Sequence, residues 1–130
     1  MPTLTALLAR GRVPDRAGLQ TQVRTAGFTE LRIDDAWLPL GPRAYVPCTL
    51  DGEDAGFDLR SDALIPPPGD DRDTRLVLRW SGDPREEAAA CIVCAALARD
   101  AGALVYAAGP DELLGHADLV QRARRLLAAL

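Results

Sequence analysis

Residues 74 to 102, TRLVLRWSGDPREEAAACIVCAALARDAG, constrain the fold more than any other stretch of this chain. TRLVLRW alternates, with Leu76, Leu78 and Trp80 on one face and Arg75 and Arg79 on the other, the pattern of a half-buried strand. Helix signals follow at once. Asp83 can cap, Pro84 stands where a missing N–H costs nothing, and Glu86 lies three residues after Asp83, as in a capping box. The helix is expected to reach about Ala101, with Gly102 ending it. Its interior is uniformly apolar, which implies a buried, alanine-rich helix lying on a sheet.

The remaining segments supply partners for that unit. PDRAGLQTQVRTA, from Pro14 to Ala26, puts Leu19, Val23 and Ala26 on one helical face before Gly27. Leu4, Leu7 and Leu8 suggest a further helical turn or two ahead of Gly11 and Pro14. FTELRI reads as a strand and AWLPLGP as an extended or turning segment. Strand-like runs from Ala44 to Leu50 and from Ala55 to Arg60 flank Asp51-Gly52-Glu53-Asp54, and Asp-Gly at a reversal supplies the positive dihedrals a hairpin needs. Pro47 cannot donate to a ladder, so its strand should be an edge or carry a bulge. IPPPGDDRD is a stiff polar connector within one domain. ALVYA is a short strand, and from about His116 the stripe Leu119, Val120, Ala123, Leu126, Leu127 and Leu130 marks a closing amphipathic helix. The expected fold is a single α+β domain spanning residues 1–130: a mostly antiparallel sheet with a β-hairpin, packed against the buried helix and the C-terminal helix. A chain of 130 residues is long enough to bury about two-thirds of its unfolded surface.

Cys91 and Cys94, in CIVC, raise three possibilities: a redox couple, half of a zinc site, or two small apolar side chains one helical turn apart. Redox pairs place the first thiol at a helix N-terminus, where the dipole and free amides stabilise the thiolate. Cys91 lies about two turns inside, among apolar neighbours that raise a thiol pKa, so packing against the sheet is the expected role. Zinc would need further ligands from Cys48 and His116, each alone and distant in sequence. No metal or cofactor is expected. His116, the one histidine, is expected to be a cap or surface residue rather than a base. Asp34-Asp35 and Asp70-Asp71 are adjacent pairs that diverge, the acidic segment lacks the spacing of a calcium loop, and GPDELLG lacks the lysine of a phosphate cradle. These absences argue against an enzyme. Three cysteines are too few for a disulfide framework and fit a reducing compartment. No signal-peptide pattern opens the chain and no apolar run approaches the roughly 20 residues of a membrane span, so a cytoplasmic protein without a membrane partner is expected.

The net charge of −4 hides a concentration of acid. Residues 51–73, DGEDAGFDLRSDALIPPPGDDRD, hold eight acids against two arginines. Phosphate contacts require a basic footprint, so nucleic acid is an unsuitable partner, and a basic protein is the natural complement.

Two segments resemble a known layout. YVPCTLDGEDAGFDL, a strand and acidic turn leading into Gly56-Phe57-Asp58, and LVLRWSGDPREEAAACIVCAALARDAGALVY together resemble small bacterial proteins of the toxin-immunity type, over about residues 44–107. The resemblance implies inhibition by occlusion. An acidic hairpin tip and connector would enter the basic substrate cleft of a cognate toxin of nuclease or deaminase type. The expected partner-binding residues are Asp51, Glu53, Asp54 and Asp58, then Asp70, Asp71 and Asp73, with Trp37 and Phe57 as anchors unless they belong to the core. Two rivals are an acidic secretion chaperone or adaptor, which would dimerise and hold an extended client along an apolar groove, and a small enzyme built on the thiols.

Overall fold

The computed structural model describes residues 2–107 and 112–130; Gly109, Pro110 and Asp111 of the GPDELLG stretch lie outside the described residues. The strand anticipated at residues 74–80 is β7 (Thr74–Arg79), and the helix after it is α2 (Pro84–Asp100). Asp83 accepts a hydrogen bond from the Arg85 amide at its N-terminus, and Gly102, at φ 66°, lets the chain leave its C-terminus. Every residue of α2 from Ala88 to Leu97 is buried. A helix apolar on all sides is stable only when it is surrounded. That is its position here: it touches both sheets through β1 (Thr3–Leu8), β4 (Cys48–Leu50), β6 (Phe57–Ala63) and β8 (Leu104–Tyr106), and both other helices, α1 (Arg16–Thr25) and α3 (His116–Ala128).

Among the described residues, nine strands form two antiparallel sheets. The fold is therefore the single-domain α+β class expected. With β2 (Leu31–Ile33), β3 (Ala44–Val46), β5 (Glu53–Asp54) and β9 (Leu113–Leu114), the main sheet has the order β3-β6-β7-β1-β8-β9 and the small one β2-β4-β5. Both β7 and β8 pair antiparallel with β1, so they run parallel to each other with β1 between them and α2 as the crossover.

The first correction concerns β1. Leu4, Leu7 and Leu8 do not open a helix; Thr3–Leu8 is a central strand whose burial alternates, with Leu4, Ala6 and Leu8 in the core. The leucine spacing resembled helical periodicity, but Ala6 completes a period of two, and six residues of pairing with β7 outweigh the local preference. A second correction concerns Glu86. It does not close a capping box on Asp83; Gly82, at φ 103°, folds the chain back so that Glu86 accepts from both the amide and the hydroxyl of Ser81, at 3.0 and 2.7 Å. The sequence reading also missed β9, which pairs with β8. His116 is half-buried at the start of α3, its Nδ1 2.9 Å from the Ala95 carbonyl oxygen of α2.

One face of the main sheet meets α2. The other carries Thr3, Thr5 and Leu7 of β1 and Arg75, Val77 and Arg79 of β7, none of them fully buried. No helix among the described residues is long and apolar enough to cross a membrane.

Candidate functional site

The hairpin foreseen from Ala44 to Arg60 exists, in a form the sequence did not reveal. Its two arms keep one register from end to end: Ala44 faces Leu59, Tyr45 faces Asp58 and Val46 faces Phe57, while beyond the bend Thr49 faces Asp54 and Leu50 faces Glu53. The base belongs to the main sheet and the tip to the small one. The break falls where Pro47 stands opposite Gly56. Pro47 can donate no ladder bond, and the Ala55 amide resumes the pairing with the Cys48 carbonyl at 2.9 Å. At the tip, Asp51 (φ 52°) and Gly52 (φ 84°) form the left-handed pair required by a two-residue hairpin loop.

This geometry sorts the expected partner-binding residues. Asp51, Glu53 and Asp54 are exposed and together at the tip, and their carboxylates make no hydrogen bond or ion pair among the described residues. Asp58 is engaged within the chain, 3.5 Å from Arg43 and 3.7 Å from Arg79. Asp70 pairs with Arg72 at 3.3 Å and accepts from its amide. Asp73 accepts from the Arg10 amide at 2.9 Å, a bond that lowers its pKa. Asp71 is exposed. The connector loops between β6 and β7, at the end of β6 away from the tip, so roughly nine residues of strand, on the order of 30 Å, separate its acids from the hairpin acids. Hairpin and connector are two surfaces.

The two aromatic anchors require correction. Trp37 is 3 % exposed, and its indole N–H donates to the Pro14 carbonyl at 2.9 Å; Phe57 is 1 % exposed. Both belong to the core, Phe57 through the alternation along β6 and Trp37 through its tie to Pro14 ahead of α1. Neither is available to a partner.

The aromatic that does face solvent is Tyr45, 52 % exposed. Its signal in the sequence was its position directly before the inward-facing Val46, which turns it outward. The register puts it on the same face as Asp58. Its hydroxyl lies over Gly56, and its pKa is pushed up by partial burial and then by the nearby Glu86 and Asp54 carboxylates and Cys48, against the lowering effect of the Gly56 backbone. Beside it, a cleft of about 290 Å³ runs under the tip between Arg32, Asp34, Pro47, Thr49 and Asp54. Tyr45 and Asp54 thus share one face of the hairpin, while Glu53, opposite the buried Leu50, lies on the other.

Of the three thiols, Cys48 lines this cleft. Cys48, Cys91 and Cys94 are free and buried; burial pushes Cys48 and Cys91 up to about 12 and Cys94 well above its ordinary value. Thiolate chemistry is thereby disfavoured. Among the described residues no three His, Cys, Asp or Glu side chains come together as a metal site.

Elsewhere, Val13, Pro14, Trp37, Leu38, Pro39 and Leu40 line an open apolar cleft of about 400 Å³, with Leu38 63 % exposed.

Comparison with protein-family models, curated proteins and solved structures finds no match.

Proposed function

We propose that this protein is a bacterial, cytoplasmic immunity protein: a binding module, without catalysis or cofactor, that inhibits a cognate basic toxin of nuclease or deaminase type. The carrying observation is the state of the tip acids. Asp58, Asp70 and Asp73 are engaged by the protein's own donors, whereas Asp51 in the two-residue turn and Glu53 and Asp54 in β5 just after it have no such partner. Carboxylates held that way lose little conformational freedom on meeting a partner's arginines or lysines, and their field accelerates encounter. Tyr45 next to them supplies a large, stiff anchor of the kind that concentrates binding energy. Inhibition follows by occlusion, the tip standing in the cleft where the toxin's own anionic substrate would lie.

The test is a pull-down from the native cell lysate on immobilised protein, washed at low and high salt, with the Asp51→Asn/Glu53→Gln/Asp54→Asn variant alongside. Retention of one basic protein by the wild type, weakened by salt and lost with the variant, supports the reading. Equal retention by both forms overturns it.

One observation favours a second reading, the acidic secretion chaperone. The cleft around Leu38 and Pro39 is apolar and open, as a groove for an extended client would be. Retention of many unfolded chains, insensitive to salt, would support it.

A further inference from the structure

The connector between β6 and β7, IPPPGDDRD, divides into two limbs of different chemistry. The incoming limb, Ile65 to Pro68, is apolar. Ile65, Pro66 and Pro67 each precede a proline, which disfavours the helical region for them, and the proline rings hold their own φ at about −65°. The limb is therefore a short polyproline II segment, about one turn and roughly 9 Å long. It ends in a type II turn, with Pro68 and Gly69 (φ 86°) at the centre and the Asp70 amide donating to the Pro67 carbonyl at 3.0 Å.

The outgoing limb anchors the loop. Arg72 pairs with Asp70 at 3.3 Å, and its Nε donates to the Gly102 carbonyl, just past α2, at 3.0 Å. Asp73 accepts from the Arg10 amide at 2.9 Å, and its carbonyl receives the Leu64 amide at 2.9 Å, closing the loop at its base. The connector is thus polar on one limb only. On the other, Ile65 is 96 % exposed, more than any other large apolar side chain among the described residues. Pro67 and Pro68 are exposed beside it, and the carbonyls of Ile65, Pro66 and Pro68 accept no hydrogen bond among the described residues.

A single exposed aliphatic side chain is ordinary. One carried on a backbone that prolines stiffen and a tied limb holds from behind loses little conformational freedom on docking. We propose that this limb is a docking ligand, the ridge from Ile65 to Pro68 seating in a groove lined by aromatic rings on a second protein. Such a groove suits both features of the ridge: rings pack against the prolines, and indole N–H or phenol O–H groups donate to the free carbonyls. Asp71, exposed just past the turn, complements a basic residue at the rim. The groove belongs to a different protein because this chain has none to offer: Phe28, Trp37, Phe57 and Trp80 are buried, Tyr106 is half-buried, and Tyr45 stands alone on the hairpin. This docking is independent of the toxin reading, since tip and connector are separate surfaces.

The test is capture from native cell lysate on the immobilised full chain, washed at high salt, with three forms side by side. These are the wild type, the tip variant Asp51→Asn/Glu53→Gln/Asp54→Asn, and Ile65→Ser/Pro67→Ala, each checked for folding by circular dichroism. Ile65→Ser alone replaces the last if the double variant does not fold. Bound protein is eluted with a decaproline peptide, which competes for an aromatic polyproline groove, and with a glycine-serine peptide of equal length as control. Wild type and tip variant are expected to hold the same protein, released by decaproline and not by the control, and Ile65→Ser/Pro67→Ala to hold at least about tenfold less of it. Docking through the connector is overturned if no captured protein depends on Ile65 and Pro67, or if decaproline releases none that does. A protein lost only with the tip variant belongs to the toxin reading; as the sole capture, it overturns the connector docking while that reading stands.

Discussion

The hydroxyl of Tyr45 lies directly over the α-carbon of Gly56, in the space a β-carbon would fill. The Val46 carbonyl oxygen closes the same space at 2.6 Å. Gly56 thus permits the bend opposite Pro47, and Tyr45 covers it from outside. Gly56→Ala is expected to destabilise the protein by about 2–3 kcal/mol, read as a shift in urea midpoint. Adding Tyr45→Ala should restore only part of that loss, because the carbonyl is backbone and stays. Full recovery in the double variant would show that the tyrosine was the whole obstacle.

The tip variant Asp51→Asn/Glu53→Gln/Asp54→Asn should fold with a stability within about 0.5 kcal/mol of wild type, since all three positions are exposed and Asn is well suited to the left-handed conformation at Asp51. Its affinity for the isolated toxin should fall at least about tenfold at low salt, with a weaker salt dependence. Isothermal titration at two ionic strengths measures both quantities. Unchanged affinity would move the contact surface away from the hairpin.

Gln20 is buried in α1, and its carboxamide serves β2 as a neighbouring strand would: Nε2 donates to the Leu31 carbonyl at 2.9 Å and Oε1 accepts from the Ile33 amide at 2.8 Å. Gln20→Leu leaves both backbone groups unpaired and should cost about 2–4 kcal/mol. Gln20→Glu keeps the acceptor but sets a carboxylate oxygen against a carbonyl, and should be worse at neutral pH than at acid pH. Equilibrium unfolding at the two pH values separates these effects.

Burial pushes Cys48 and Cys91 up to about 12 in the folded protein against an ordinary 9.0, and raises Cys94 as well. The raised folded pKa means that the unfolded chain ionises first as pH rises. The contribution of the buried thiols is therefore intact below about 9 and lost between about 9 and 12, at up to about 1.4 kcal/mol per thiol per pH unit. Urea midpoints should decline through this window, and a Cys48→Ala/Cys91→Ala/Cys94→Ala variant, less stable at neutral pH, should show a shallower decline. Iodoacetamide should label the native thiols slowly at pH 8 and all three rapidly in denaturant.

Local grammar was sufficient for much of this architecture. Asp83-Pro84 starts α2 and Gly102 ends it, and Asp51-Gly52 turns the hairpin, because each depends on backbone chemistry within a few residues. The burial of CIVC followed in the same way from apolar neighbours on every side of one helix. The acids of the tip were also legible, since a tight turn exposes its side chains wherever it sits.

Tertiary structure decided the rest. Leu4, Ala6 and Leu8 became a central strand because β7 and β8 lie on either side of them, a preference no window of six residues contains. Which aspartates remain available depended on partners far away in sequence: Arg79 for Asp58, the Arg10 amide for Asp73. The exposure of Tyr45 and the burial of Trp37 and Phe57 were settled by which face of the bent hairpin and which side of a loop met the core. Composition announces that a chain has acids and aromatics; which of them face a partner is determined only when pairing and burial have claimed the others.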